Sequence, residues 1–235
     1  MVLLLAVAVL LALAVQGTSA QEVPDPEDPK MGPAERIEAL ITRIEYEQTR
    51  LKTLHSDFTQ RKESELLLEP EESKGRFWYR SPDAVRWDFS EPDETRVVVR
   101  DGVMLTWFKQ QGTAEKVDVG GRADRIMEYL SATNSLETLQ RYFTIQAVFP
   151  KDGESPYRLH LEPRFKRVRK RLESMKIHLD RQGYFPVFVE YVEPGGDRTQ
   201  FTFENVEKNV ELEDELFVLD LPEEVAVRTL ELGAS

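Results

Sequence analysis

No cysteine occurs anywhere in the 235 residues. That excludes disulfides, thiolate metal sites and a thiol nucleophile, and it leaves no residue near the N-terminus able to carry the acyl groups of a lipid anchor. Histidine is scarce too: His55, His160 and His178 are scattered, with no H-E-x-x-H pair, so no transition-metal site is expected. A G-x-S-x-G elbow, a P-loop and a G-x-G-x-x-G fingerprint are all missing. Acidic pairs such as Asp93-Glu94 are numerous, but with 43 Asp and Glu against 31 Lys and Arg they read as solvated surface. The expectation is therefore a protein without enzymatic activity and without a cofactor. The first 20 residues lack charge, so the net charge of −12 belongs to the remainder. Such an acidic surface favours solubility and argues against nucleic acid as a partner.

The uncharged opening has a reading of its own. Met1–Val15 is an unbroken apolar run, followed by Gly17-Thr18-Ser19-Ala20 before the polar Gln21-Glu22. Small residues at Thr18 and Ala20 occupy the two positions a signal peptidase reads, which predicts a secretory signal over residues 1–20 cleaved after Ala20. The run is shorter than the roughly 20 residues that span a bilayer, and no later segment is apolar enough to do so. Residues 21–33 carry four prolines among alternating charges and read as a flexible leader. Residues 34–235 then form a single domain of ordinary size.

Within that domain the hydrophobic period changes once, and then back. Ile37, Leu40, Ile41, Ile44 and Leu51 make a stripe at helical spacing after Pro33, predicting a helix over Glu35–Lys52. From Leu54 the period is two. Strands are expected around Phe58 and Gln60 and at Gly75–Arg80, Ala84–Phe89, Arg96–Arg100 and Val103–Lys109, with Asp101-Gly102 as a hairpin turn between the last two. Arg122–Leu130 and Leu136–Tyr142 return to helical spacing. Strands resume at Phe143–Phe149, Tyr157–Glu162, Ser174–Asp180, Pro186–Tyr191 and Arg198–Val206. The fold class this implies is α+β: a large curved antiparallel sheet with helices packed on it.

Parity along the strands bears on function. Val103, Leu105 and Trp107 share one face while Met104 and Phe108 share the other, and Phe77 and Tyr79 oppose Trp78. Apolar residues on both faces fit either an ordinary core with some surface aromatics or a sheet curled around an apolar, lipid-sized cavity. One charge run stands out, Arg164–Arg171 (RFKRVRKR), with six basic residues in eight. It suits an anionic membrane surface or an acidic partner protein, or simply balances the surrounding acid as a solvated loop.

Four stretches taken in order resemble the outer-membrane lipoprotein carrier family, the LolA-like periplasmic chaperones. They are Leu51–Gln60 (LKTLHSDFTQ), Gly75–Pro92 (GRFWYRSPDAVRWDFSEP), Val97–Phe108 (VVVRDGVMLTWF), and Gly196-Asp197 with Phe203–Pro222, which carries Asn205, Asn209 and Phe217. The resemblance implies an incomplete β-barrel whose concave apolar face is closed by helices. It implies a periplasmic monomer that shields the acyl chains of lipoproteins, taking them from an inner-membrane release complex to an outer-membrane acceptor. Lid control by an arginine is also implied. The family's arginine directly before the proline is here Ser81, with Arg80 one step earlier, and Arg86 before Trp87 matches more distant relatives, so Arg86 ranks ahead of Arg80. The candidate cavity residues are Trp78, Trp87, Phe89, Leu105, Trp107, Ile126 and Leu130, although strand parity forbids all of them from pointing inward together. A carrier of another lipid or glycolipid, and a regulatory module sensing lipid or lipoprotein on the same fold, remain as alternatives.

Overall fold

The computed structural model describes residues 23–82, 84–119 and 140–230. The signal segment and most of the Arg122–Tyr142 helical pair, including Ile126 and Leu130, lie outside the described residues.

Helix α1 spans Pro33–Arg50. Proline at its first turn costs no hydrogen bond, and the Glu35 carboxylate accepts the Gly32 backbone N–H at 2.7 Å, satisfying one of the donors a helix start leaves free. Of its buried residues, Leu40 and Ile41 belong to the stripe read from the sequence, and Ala39 adjoins them. The segment before it, expected to be a flexible leader, is tied to the body through Pro26 and Glu27. Pro26 is buried, and Glu27 bridges Arg36 and Arg181, each at 3.0 Å. Its prolines set turns, and its charges find partners on the body.

Twelve strands then build one sheet: β1 Thr53–Glu63, β2 Glu71–Arg80, β3 Ala84–Glu91, β4 Thr95–Arg100, β5 Val103–Phe108, β6 Thr113–Asp118, β7 Phe143–Val148, β8 Tyr157–Pro163, β9 Ser174–Leu179, β10 Pro186–Val192, β11 Arg198–Lys208 and β12 Ala226–Leu230. Their order across the sheet is β12-β6-β5-β4-β3-β2-β1-β11-β10-β9-β8-β7. Asp101 and Gly102 both take positive φ, 51° and 71°, the requirement of the two-residue turn predicted there. A one-turn helix, α2 (Lys166–Arg169), links β8 to β9.

Two features depart from the expected antiparallel sheet. β12 pairs with β6 in parallel, so the sheet is mixed; the parallel pairing needs a crossing connection. The chain leaves β11, crosses one face as a strap with a 3-10 turn at Asp214–Phe217, and reaches the far edge. Also, β6 and β12 were not expected from the sequence.

The sheet bends over its helix-covered face. β3 and β11 are three strand spacings apart, roughly 14 Å along the sheet, yet the Trp87 and Phe201 rings lie 5.5 Å apart. Trp87 likewise comes within 6.1 Å of Phe203. Contact across two intervening strands requires the face to close inward. The main core sits there, joining Leu40 and Ile41 of α1 to residues from β1 to β11.

Candidate functional site

An aromatic cluster occupies the helix-covered face. Phe58, on β1, stands edge-on to Trp87 at 4.9 Å and to Phe89 at 5.0 Å. Phe77 is 4.4 Å from Trp87, and Phe201 and Phe203 stack beyond it. Gly75 makes this possible. It pairs with Phe58 on one side and Phe89 on the other, and a Cβ at this position would meet the Asp88 carbonyl at 2.1 Å and the Phe58 ring at 2.8 Å. Only glycine leaves room for the two rings to meet over the strand.

Among the described residues, three polar groups are buried on this same face without a hydrogen-bond partner: Ser56 Oγ, Gln60 Nε2 and Trp87 Nε1. Ser56 and Gln60 alternate with Phe58 along β1 on one side of the strand. An unsatisfied buried donor costs about 1–3 kcal/mol, so the apolar interior holds polar groups in need of acceptors.

The opposite face is built differently. Register places His55, Trp78, Arg86, Val98 and Leu105 in one row across β1 to β5. Trp78 stacks on His55 at 5.2 Å and packs with Ala84, Val98 and the strap residue Phe217 in a separate small core, lined further by Leu212, Leu216 and Leu219. Arg86 is buried. It donates to the strap carbonyl of Leu216 at 2.7 Å and, through Nε and Nη2, to both oxygens of Asp88 at 2.7 and 2.8 Å. Arg80 lies over the Phe217 ring at 4.6 Å and pairs with Asp214. A planar fork bonding a carbonyl and a carboxylate at once is the geometry a guanidinium supplies and an ammonium does not.

The proposed cavity residues thus separate. The structure brings Trp87 and Phe89 together on the helix-covered face and puts Trp78, Leu105 and Trp107 on the other, where Trp107 lies between Arg96 and Lys109. The reason is the two-residue period: the strand pairings set Leu105 opposite Val98 and Val98 opposite Arg86, and Arg86 necessarily faces away from Trp87. Arg86 and Arg80, the candidates for lid control, both reach the strap, Arg86 while also holding Asp88 on its own strand. Sequence reasoning did not place Phe58, Phe77, Phe201 and Phe203 in the site, although the i, i+2 pairs Phe58 with Gln60, Phe77 with Tyr79 and Phe201 with Phe203 carried the signal.

The two asparagines of the fourth stretch also find a purpose. Asn205 and Asn209 take positive φ, 53° and 57°, a conformation asparagine tolerates better than most residues. Asn205 donates to Asp57 at 2.7 Å beside the bulge in the β1–β11 ladder. The Asn209 side-chain oxygen accepts the Lys52 N–H at 2.8 Å, fastening the passage from α1 to β1.

Known proteins resemble this chain in sequence and in fold. The family model described as outer membrane lipoprotein carrier protein LolA matches residues 49–220. An outer-membrane lipoprotein carrier protein of Alkalilimnicola ehrlichii is 29% identical over 173 residues, covering 73% of this chain and 75% of that protein. Among solved structures, an uncharacterised conserved protein from Thermus thermophilus superposes with a TM-score of 0.53 at 8% identity, over 81% of this chain and 97% of that one. A LolA superfamily protein from Nitrosomonas europaea covers 77% of this chain and 96% of its own, at 8% identity and a TM-score of 0.39.

Proposed function

The chain belongs to the family of outer membrane lipoprotein carrier proteins, a family of non-enzymatic transport proteins, and from that premise we propose that it binds the acyl chains of lipoproteins against its helix-covered face and carries them through the periplasm to the outer membrane. One observation carries the reading: a continuous aromatic interior, from Phe89 and Trp87 to Phe203, inside a bent sheet whose end strands do not meet. Each methylene moved from water into such an interior gains about 0.8 kcal/mol, so a lipid anchor with long chains supplies ample drive. The donors of Gln60 and Trp87, without partners among the described residues, suit the ester oxygens at the head of those chains. On this reading the partners are the release complex and the acceptor at the two membranes.

Binding of a fluorescent acyl probe tests it. Phe89→Asp should weaken binding at least about tenfold, since the charge would enter the apolar interior. Trp107→Asp, on the other face, should leave it unchanged. Equal affinity of both variants for the probe, with both folded, would remove the cavity from this face. Arg86→Leu should keep probe binding but slow transfer of cargo to an acceptor, acting through the strap that Arg86 holds.

A further inference from the structure

We propose that the basic turn between β8 and β9 is a docking surface for anionic phospholipid headgroups. Lys166, Arg167, Lys170 and Arg171 are all exposed, and none has an ion pair among the described residues, although the chain as a whole has a net charge of −12. In the helical turn Lys166 stands four residues before Lys170 and Arg167 four before Arg171, so like charges sit above one another. That arrangement destabilises an isolated helix. It persists because the turn is anchored from beneath. Leu172 is buried in the main core and Val168 packs against it, while Arg169 donates to the carbonyls of Pro163 and Arg164 at 2.8 and 2.7 Å. The side chains that could relieve the repulsion by moving apart are thus held on a fixed backbone, with their charges directed to solvent.

Phe165, 45% exposed, stands in the same turn with its ring edge-on to Tyr142 at 5.6 Å. Cations surrounding an exposed aromatic ring on a protruding turn fit a planar, negatively charged lipid interface, where the ring enters the headgroup layer and the cations meet phosphates. The exposed Phe165 ring among the cations favours that interface over an acidic protein segment, for which the charges alone would suffice. The turn also adjoins the place where the chain returns to the sheet from residues 120–139: the Arg164 N–H donates to the Tyr142 carbonyl at 2.8 Å, and its Nε to that of Phe143 at 3.1 Å. Docking there does not depend on what the interior holds.

The test is co-sedimentation of the mature chain with vesicles of phosphatidylcholine alone and of equal parts phosphatidylcholine and phosphatidylglycerol. Binding to the anionic vesicles should be about tenfold stronger or more, and should fall in high salt. The four-site variant K166Q/R167Q/K170Q/R171Q should lose that preference while keeping its circular dichroism and its affinity for the acyl probe. Phe165→Ser should weaken binding by a smaller factor. Equal binding to both vesicle types, no binding to either, or an unchanged preference in the folded four-site variant overturns the proposal. Capture of an acidic polypeptide without vesicle binding does the same. Loss of acyl-probe binding in the Phe89→Asp protein, with vesicle binding intact, separates this surface from the carrier site.

Discussion

The two faces of the sheet hold the molecule together by different physics. The helix-covered face is aromatic against aromatic, continuous from β3 to β11. The opposite face is polar over much of its extent: Glu190, buried within the β9–β11 ladder, takes Lys176 at 2.8 Å and Gln200 at 2.7 Å. Among the described residues its apolar island, around Trp78, lies beneath the strap. The first face is specified by volume, which is forgiving of which ring fills which gap. The second is specified by direction, through the guanidinium of Arg86, which is not.

Substitutions can break this contrast or sharpen it. The largest effect should come from Trp87→Ala, which empties the centre of the aromatic cluster and should cost about 3–5 kcal/mol in urea unfolding. Phe217→Ala removes the one fully buried side chain of the strap; a loss of about 2–3 kcal/mol is expected, because a strap can settle where a sheet cannot. Equal losses at the two sites would erase the distinction. Arg86→Met should cost about 2 kcal/mol, by leaving the Leu216 carbonyl and a half-shielded Asp88 without their donor. Its mark should be faster hydrogen exchange confined to residues 212–219, with acyl-probe binding intact. If exchange instead quickens across β1 and β11, the arginine supports the whole sheet and not the strap alone.

The smallest effect is electrostatic. His178, on the polar face beside Phe188 at 4.7 Å, has its pKa lowered chiefly by burial, then by the charge of Arg158, with Glu190 opposing and Lys176 assisting. A histidine whose folded pKa is lowered binds its proton more readily when unfolded. The stability it contributes is complete above its ordinary value of 6.5 and declines as the pH falls from there toward the folded value. An NMR titration of His178 should therefore show a midpoint below 6.5, and His178→Phe should flatten the fall in stability between neutral and mildly acid pH. A midpoint above the ordinary value would mean that Glu190 controls the site.

Much of this was legible in the chain. Helix α1 declared itself through its stripe, and ten strands through alternation and turn chemistry. The missed strands show where that signal stops. In β6, Ala114 and Val117 are both buried but an odd number of residues apart, so they lie on opposite faces and the alternation fails. In β12, Ala226 to Thr229 are exposed, so burial leaves no mark and the backbone pairing with β6 alone defines the strand. The candidate site divided for a related reason. Parity within one strand tells which residues share a face; which face that is relative to the next strand depends on register, set by turns and bulges such as the one between Lys74 and Gly75. Parity puts Trp87 with Phe89, and Leu105 with Trp107, but only the register tells that the two pairs look in opposite directions.

The strand order has a consequence for how the chain reaches this state. From β1 to β6, and again from β7 to β11, every strand is bonded to its predecessor in sequence. Two local meanders can therefore assemble early, each by short loop closures. The seam between them, β1 against β11, cannot: Lys52 and Asn209, fastened at its end, are 157 positions apart. Pairings of such separation are slow to form because the loop must be ordered before any contact rewards it. The seam should be the last ladder to gain protection in pulse-labelled refolding, and an acyl-binding face that spans it would come into being only at that final step.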